Sequence, residues 1–529
     1  MLIMKRLSLL LICLCFSLLV AAQDKAPFYA AKVMKDGKYG LVGQNGKLIV
    51  PVQYDNIDVY TEGMAMVQKD NMSGFVNQSG QLVVPMQYEE AYNYFDGIAC
   101  VRKDGKYGFI DKSGTLVVPA QFDRVENFSN PLKTVEMGNK WGFANKSGEM
   151  VVPAKYDFVK NYTEGLAAVN DGGKIIGENT VQGGKWGYID NTGKMVIPEQ
   201  FEDAWTFTSD GLAIVKKGGK WGYINKAGKM VIPATYYGCS TFIGDFAVVQ
   251  KEGGYGLINR AGKLLTTQAF TALGDNFYDD IMSAQFGKKW GFIDKTGKLI
   301  VPAIYDEVVH FSSGLAMVRK GGRTGYIDKT GKLVIPLAYL EATPFSDKGV
   351  AAVSVGQKPT APPAQNGKPA ATPVQGERKW GIIDKDNKQI VPIIYDQISP
   401  DITKGGLIMV VKDGTYGFID ASGKEVIPPK YDEARDFTDD GLAAVSINDK
   451  WGFINASGTL VIKPQFDEVA DFSYGLAPVD KNSKWGYVDK TGKMIIPAQF
   501  DQANQFINMN KSAGGSSTGT STKDEDDDN

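Results

Sequence analysis

The sequence predicts an all-β fold, a tandem array of thirteen three-stranded units of about 34 residues. Three observations carry this: an aromatic-glycine mark recurs along the chain, its spacing is nearly fixed, and the same two turns divide every copy. The residue before the marked glycine is Tyr39, Ser73, Tyr107, Trp141, Trp186, Trp221, Tyr255, Trp290, Thr324, Trp380, Tyr416, Trp451 and Trp485. Ten of the twelve intervals are 34 to 36 residues, and the other two are 45 and 56. A fixed period of this size marks a stack in which no unit buries its own core.

The first strand of the unit is Gly-Leu-Ala-x-Val, as in Gly314 to Val318, and a Lys/Gly turn leads from it into the marked strand as a hairpin. Both residues after the marked glycine are apolar in every copy, as with Phe292 and Ile293. Neighbouring strand residues point to opposite faces, so this strand is expected to be covered on both sides. The glycine leaves room for a ring or another backbone. The second turn follows, Asp294 to Gly297 in the same copy, with Asp or Asn at its first position in twelve units. Its fourth position is Gly in twelve units and Asn387 in the other, the substitution a left-handed backbone position tolerates. A type I turn with a glycine bulge is therefore expected.

The third strand, Lys298 to Val301 in this copy, is expected to stop at proline, present in eleven units; Thr267 and Lys463 stand there in the others. An aromatic follows in all thirteen units and an acid in ten, including Asp55, Asp157, Asp306, Asp396, Asp432, Asp467 and Asp501. An irregular return then carries a further aromatic such as Phe311 into the next unit.

Tandem Lys-Trp-Gly-Phe/Tyr-Ile-Asp-Lys-Thr/Ser-Gly-Lys units ending in Val-Ile-Pro resemble the WG (KWG) repeat proteins, which are mainly bacterial. The likeness runs from about residue 28 to 507. It implies a β-rich repeat and brings no catalytic residue set. Thirteen units exceed the usual four to eight propeller blades, so an open solenoid or superhelix is expected, with two β-propellers as the alternative.

Three segments stand apart from the repeat. Residues 1–22 read as an export signal, with Lys5 and Arg6 before the apolar Leu7 to Val20 and small residues at the cleavage site. The array then fills 23–507, and 508–529 read as a disordered acidic tail ending in Asp524 to Asp528. The long intervals come from insertions near 170–184 and 357–377, the second rich in proline, both in the loop before the marked strand. Excising either restores the period, so neither is a domain boundary.

Composition narrows the chemistry. A formal net charge of −2 gives no basic footprint for nucleic acid, and one histidine leaves little for triads or metal sites. No later segment is long and apolar enough for a membrane helix. Asp-Lys-Thr-Gly at 294, 328 and 489 is a copied turn, and Gly515 to Gly519 matches a nucleophile elbow only within the tail. His310 reads as structural, and ten equivalent acids read as one structural bond made in each unit. No catalytic, metal or cofactor site is expected.

The repeat signature itself is the residue set the sequence singles out: Trp141-Gly142, Trp186-Gly187, Trp221-Gly222, Trp290-Gly291, Trp380-Gly381, Trp451-Gly452 and Trp485-Gly486. These rings are expected to stack between units. Trp205, outside that column, is the candidate for an exposed binding ring. The expected function is an exported, non-enzymatic scaffold for protein–protein interaction in the bacterial envelope, periplasmic, surface-bound or secreted. The alternative is binding of a glycan or envelope polysaccharide through aromatic rows.

Overall fold

The structure, a computed structural model, describes residues 27–177, 180–266, 269–356, 378–399 and 404–509. The expected export signal, the proline-rich insertion, Thr267 and nearly all of the expected tail lie outside these residues.

Among the described residues the chain forms thirteen antiparallel sheets and no helix. The sheet around Trp290 has the strands Ala272–Leu273, Ile281–Phe286, Lys289–Asp294 and Leu299–Tyr305, side by side in chain order. Eleven of the sheets are four-stranded blades of this kind, one strand more than expected; the sheet holding both chain ends has five strands, and that of Gly238–Cys239, Phe246–Lys251 and Gly254–Asn259 has three. The extra strand is the return, whose backbone must be satisfied where it crosses the neighbouring strand. In the last blade the Asp467 N–H donates to the Asp480 carbonyl at 3.0 Å and Ala470 to Pro478 at 2.9 Å.

The proline does not end its strand. Trp290 pairs with Tyr305 and Phe292 with Val301, so a bulge on the last strand absorbs Pro302. A bulge already interrupts the ladder, and a residue without N–H loses nothing there. The marked glycine lies against this bulge. A Cβ on Gly291 would meet the Val301 carbonyl oxygen and stand 2.8 Å from both Pro302 C and Ala303 N. Backbone atoms crowd Gly142, Gly187, Gly222, Gly381, Gly452 and Gly486 in the same way. Of the two partners foreseen for the glycine, it is the backbone that lies against it.

The second turn is as expected. The Gly297 N–H donates to the Asp294 carbonyl at 2.9 Å, and Asp294 Oδ1 accepts from the Thr296 and Lys298 amides at 2.8 and 3.1 Å. Gly297 has φ +78° and Asn387 φ +63°, both left-handed.

Apolar faces meet between blades. Phe292, Val301 and Tyr305 of one blade pack on Phe311, Ala316, Val318 and Ile327 of the next. Thirteen such clusters occur among the described residues, one at each interface. Most contain an edge-to-face ring pair such as Phe292–Phe311, at 5.0 Å and 61°.

One of these clusters joins the last blade to the first, with Leu476, Ile496 and Phe500 against Ala31, Val33 and Val42. Ala503 pairs with Val33, and Ile507 with Ala30. Asp501 N–H donates to the Met34 carbonyl at 2.8 Å, and Met509 N–H to that of Phe28 at 2.7 Å. The array expected to be open is therefore one closed ring of thirteen blades, which also replaces the alternative of two propellers. The cause is phase. The described chain starts at the second strand of a blade and ends after the first strand of a blade. Its two ends are the missing halves of a single sheet.

The first insertion is not a loose loop. Leu166–Gly177 and Thr180–Asp190 continue the blade's central hairpin outward, with Asp171 opposite Lys185 and Ile175 opposite Val181.

Candidate functional site

Numbered from Tyr29–Lys35, blades 3 to 6 differ most informatively just after their short first strand. The chain there reads Ala91-Tyr92-Asn93-Tyr94, Val125-Glu126-Asn127-Phe128, Val159-Lys160-Asn161-Tyr162 and Ala204-Trp205-Thr206-Phe207. The outer residues of each tetrad repeat because they pack into the cores between blades. Of the inner two, the first differs in every one of these blades, while the second is Asn in three and Thr in the fourth. The blades keep register through one repeated bond: the N–H of Tyr92, Lys160 and Trp205 donates to the second-strand carbonyls of Cys100, Ala168 and Ile214 at 2.8 to 2.9 Å.

These equivalent segments converge on one cleft of about 990 Å³, within the usual range of ligand sites. Tyr92 and Cys100 stand at one end, Arg124 to Phe128 and Phe158 to Asn161 along it with Thr163, and Thr206 at the other end. Phe158 forms an aromatic floor, edge-on to Trp141 at 6.3 Å and to Trp186 at 6.1 Å.

The charged groups of the cleft are already paired. Arg124 donates to Glu126 Oε1 at 3.2 Å, lies 3.9 Å from Glu136 and covers the Trp141 ring. Lys160 donates to the Ala204 carbonyl at 2.7 Å, stands 3.7 Å from Asp203 and covers the Trp186 ring. Burial raises the pKa of Glu126, with Arg124 opposing, and lowers that of Lys160, with Asp203 opposing. Burial also pushes the Cys100 thiol up, which removes it as a nucleophile.

The expected signature residues do not line this cleft. Trp141 and Trp186 are buried, and Trp221, Trp290, Trp380, Trp451 and Trp485 are half-buried. Each pairs across the sheet with the aromatic after the proline, as Trp451 does with Phe466. Trp205 is exposed, 42%, with its ring edge-on to Trp221 at 6.3 Å. It adjoins Thr206 at the cleft's end and lines a small pocket of its own with Thr208, Tyr223 and Phe242. His310 stacks on Tyr278 at 4.2 Å.

The recurring acids make the bond read from sequence. Asp306 accepts from Lys289 of the preceding blade and from the Gly321 N–H of its own hairpin turn. Asp467 does the same with Lys450 and Asn482, and Asp501 with Lys484 and Asp36, the last across the closure.

Sequence reasoning did not single out Tyr92, Arg124, Glu126, Lys160, Asn127 or Asn161. The signal was available as variability: in twelve of the thirteen units an apolar residue precedes this stretch and an aromatic follows it, while Tyr92, Glu126, Lys160 and Trp205 differ in between. Among the described residues no three His, Cys, Asp or Glu side chains stand together to hold a metal ion. Nor is any helix there long and apolar enough to cross a membrane.

The WG containing repeat family matches residues 39–72, 74–107, 107–141, 141–174, 186–221, 221–255, 290–323, 325–358, 380–416, 416–451, 451–485 and 485–510. The chain belongs to the WG-repeat family. The matches skip the stretch between 255 and 290, where blade 7 holds its last segment by the single bridges Tyr255–Phe270 and Ile258–Leu264. Comparison with curated proteins finds no match.

Several solved structures are similar. The extracellular domain of a putative hybrid two component system from B. thetaiotaomicron is 9% identical over 82% of this chain and 68% of that one, TM-score 0.22. PorZ, a bacterial surface component of the type-IX secretion system of Porphyromonas gingivalis, is 9% identical over 88% and 80%, TM-score 0.22. A eukaryotic initiation factor is 10% identical over 69% and 95%, TM-score 0.23.

Proposed function

We propose that this protein is an exported, non-enzymatic scaffold of the bacterial envelope that holds protein partners on the rim of its ring. The observation that carries the reading is the last strand of each blade. It is the end strand of its sheet, and it exposes Leu48, Leu82, Leu116, Leu333 and Leu460 at equivalent positions. A sheet edge offers unpaired backbone groups, and apolar side chains beside it favour an added strand from another protein. Repetition round a ring makes such docking multivalent.

The non-enzymatic part is supported by the commitment of the acids. Asp306, Asp467 and Asp501 each bind a lysine and a turn amide, which leaves no asymmetric pair of carboxylates among them. Export is supported by the composition of residues 1–22.

The test is capture from an envelope extract by the ring and by the variant Leu82→Lys/Leu116→Lys/Leu333→Lys/Leu460→Lys. The wild type is expected to retain a discrete partner that the variant loses. Equal capture by both would overturn the rim as the docking surface. A second reading, glycan binding, is favoured by a different observation, the exposed Tyr92 in the cleft and the exposed Trp205 in the small pocket that adjoins it at Thr206.

A further inference from the structure

We propose that the cleft over blades 3 to 6 is a binding site for a neutral oligosaccharide, separate from the rim. The proposal starts from the variable position after the first strand. Four consecutive blades carry Tyr92, Glu126, Lys160 and Trp205 there, an acid and a base between two aromatic rings. Elsewhere the same position holds residues such as Ser240, Thr343 and Ala470. Tyr92 lines one end of the cleft, and Trp205 stands just past the other end, beside the lining residue Thr206.

Both rings are held in place while remaining exposed. Tyr92 is 48% exposed, with its ring 6.3 Å from that of Tyr107, and Trp205 leans on Trp221 as described. A fixed, half-exposed ring suits stacking on the apolar face of a sugar and requires little ordering on binding.

The charge pattern selects the ligand class. Arg124 and Lys160 are matched by Glu126, Glu136 and Asp203, so the wall presents donors and acceptors without a large net charge. A charged ligand finds no unbalanced charge here to pair with, because Arg124 already has Glu126 and Glu136 beside it and Lys160 has Asp203 and the Ala204 carbonyl. A neutral polyol takes up their remaining donor and acceptor capacity and leaves the pairs intact. Asn127, Asn161 and Thr206 add amide and hydroxyl groups along the same line.

Blade 4 is also built differently beneath the cleft. Where other units bury alanine, such as Ala99, Ala167 and Ala316, this one buries Lys133. Its Nζ donates to the Asn130 carbonyl and lies 5.1 Å from the ring of Phe128, which lines the cleft. A buried ammonium is a poor choice for stability alone. Here it fixes the loop that carries Asn127 and Phe128.

The site rests on the reading of the protein as a binder rather than an enzyme, and not on the rim. The test uses the full chain and four neutral hexasaccharides as probes: those of maltose, cellulose, chitin and xylan type, followed by calorimetry and tryptophan fluorescence. At least one is expected to bind, with affinity nearly unchanged between low and high salt. Tyr92→Ala and Trp205→Ala are each expected to weaken it about tenfold or more. Both side chains are exposed, and circular dichroism checks that the variants fold.

Absence of binding by all four probes overturns the proposal. So does binding that Tyr92→Ala/Trp205→Ala leaves unchanged, or a preference for charged peptides that fades with salt. The rim variant is expected to keep sugar binding and lose partner capture, while the cleft variant does the reverse. Failure of one reading is therefore distinguishable from failure of the other.

Discussion

Replacing Phe506 by alanine tests whether the array is closed. Phe506 is fully buried, with its ring 5.1 Å from that of Tyr487 at 62°, in the cluster that includes Val33 and Val42. Removing a buried phenylalanine costs about 3–5 kcal/mol, of which the ring pair supplies about 0.5–1.5. The control is Phe472, which stacks on Phe453 at 4.8 Å and 70° within the array. In a ring the two positions are equivalent, and the two variants should cost the same. In an open array Phe506 would lie in a fraying end, and its removal would cost under about 1 kcal/mol.

Repeat arrays often unfold in parts, so a local probe is better than a single midpoint. The probe is amide hydrogen exchange in Tyr29–Lys35, the strand to which the far end of the chain is paired. Phe506→Ala is expected to speed exchange there by about two to three orders of magnitude, at about 1.4 kcal/mol per tenfold. Phe472→Ala should leave that strand's exchange much less affected. Unchanged exchange in Phe506→Ala would refute the closure.

Three further outcomes are expected. Gly291→Ala sets a Cβ 2.8 Å from backbone atoms of Pro302 and Ala303 and should cost about 1–3 kcal/mol in urea unfolding. Gly314→Ala, with open space around it but φ +85°, should cost less, about 1–2 kcal/mol of backbone strain. Hydrogen bonds from Lys289, Lys450 and Lys484 hold Asp306, Asp467 and Asp501 below the ordinary carboxylate value of 3.8. Their stabilisation is complete above that value and is lost as pH falls through the lower folded values, so thermal stability should drop below about pH 4. The triple Asn variant should show a shallower drop. Burial raises the Cys100 thiol and pushes Cys239 up to about 11, so a thiol reagent at neutral pH should label neither until urea unfolds the ring.

The blade was legible in the sequence because its chemistry is local. Asp294 to Gly297 names its turn through one carboxylate and one left-handed residue, and the paired apolar residues after Gly291 announce burial on both faces. The proline misled because it stops an ordinary ladder, whereas here the strand bulges around Pro302 and resumes. The short first strand was missed because two residues such as Ala272–Leu273 carry no alternation to read. Ring closure depends on Val33 meeting Ala503, a contact 470 residues apart that no local pattern encodes. What did encode it was the phase of the chain ends, which leaves one blade divided between them. The cleft was hidden for the opposite reason: the eye follows what repeats, and Tyr92, Glu126 and Lys160 stand where the units differ.

That contrast bears on where such a protein keeps its specificity. Turn glycines, bulge prolines and inter-blade rings must be alike because each blade has to fit two neighbours and the ring has to close. A change at these positions is felt across an interface, as at Phe292 against Phe311. The positions after the short strand are released from that demand, since their backbone bond to the second strand is made whichever side chain they carry. Tyr92, Lys160 and Trp205 all make it. Recognition can therefore be varied blade by blade without altering the ring. Three such positions, Tyr92, Glu126 and Lys160, line one cleft and Trp205 adjoins it, which concentrates the variable residues on a single surface.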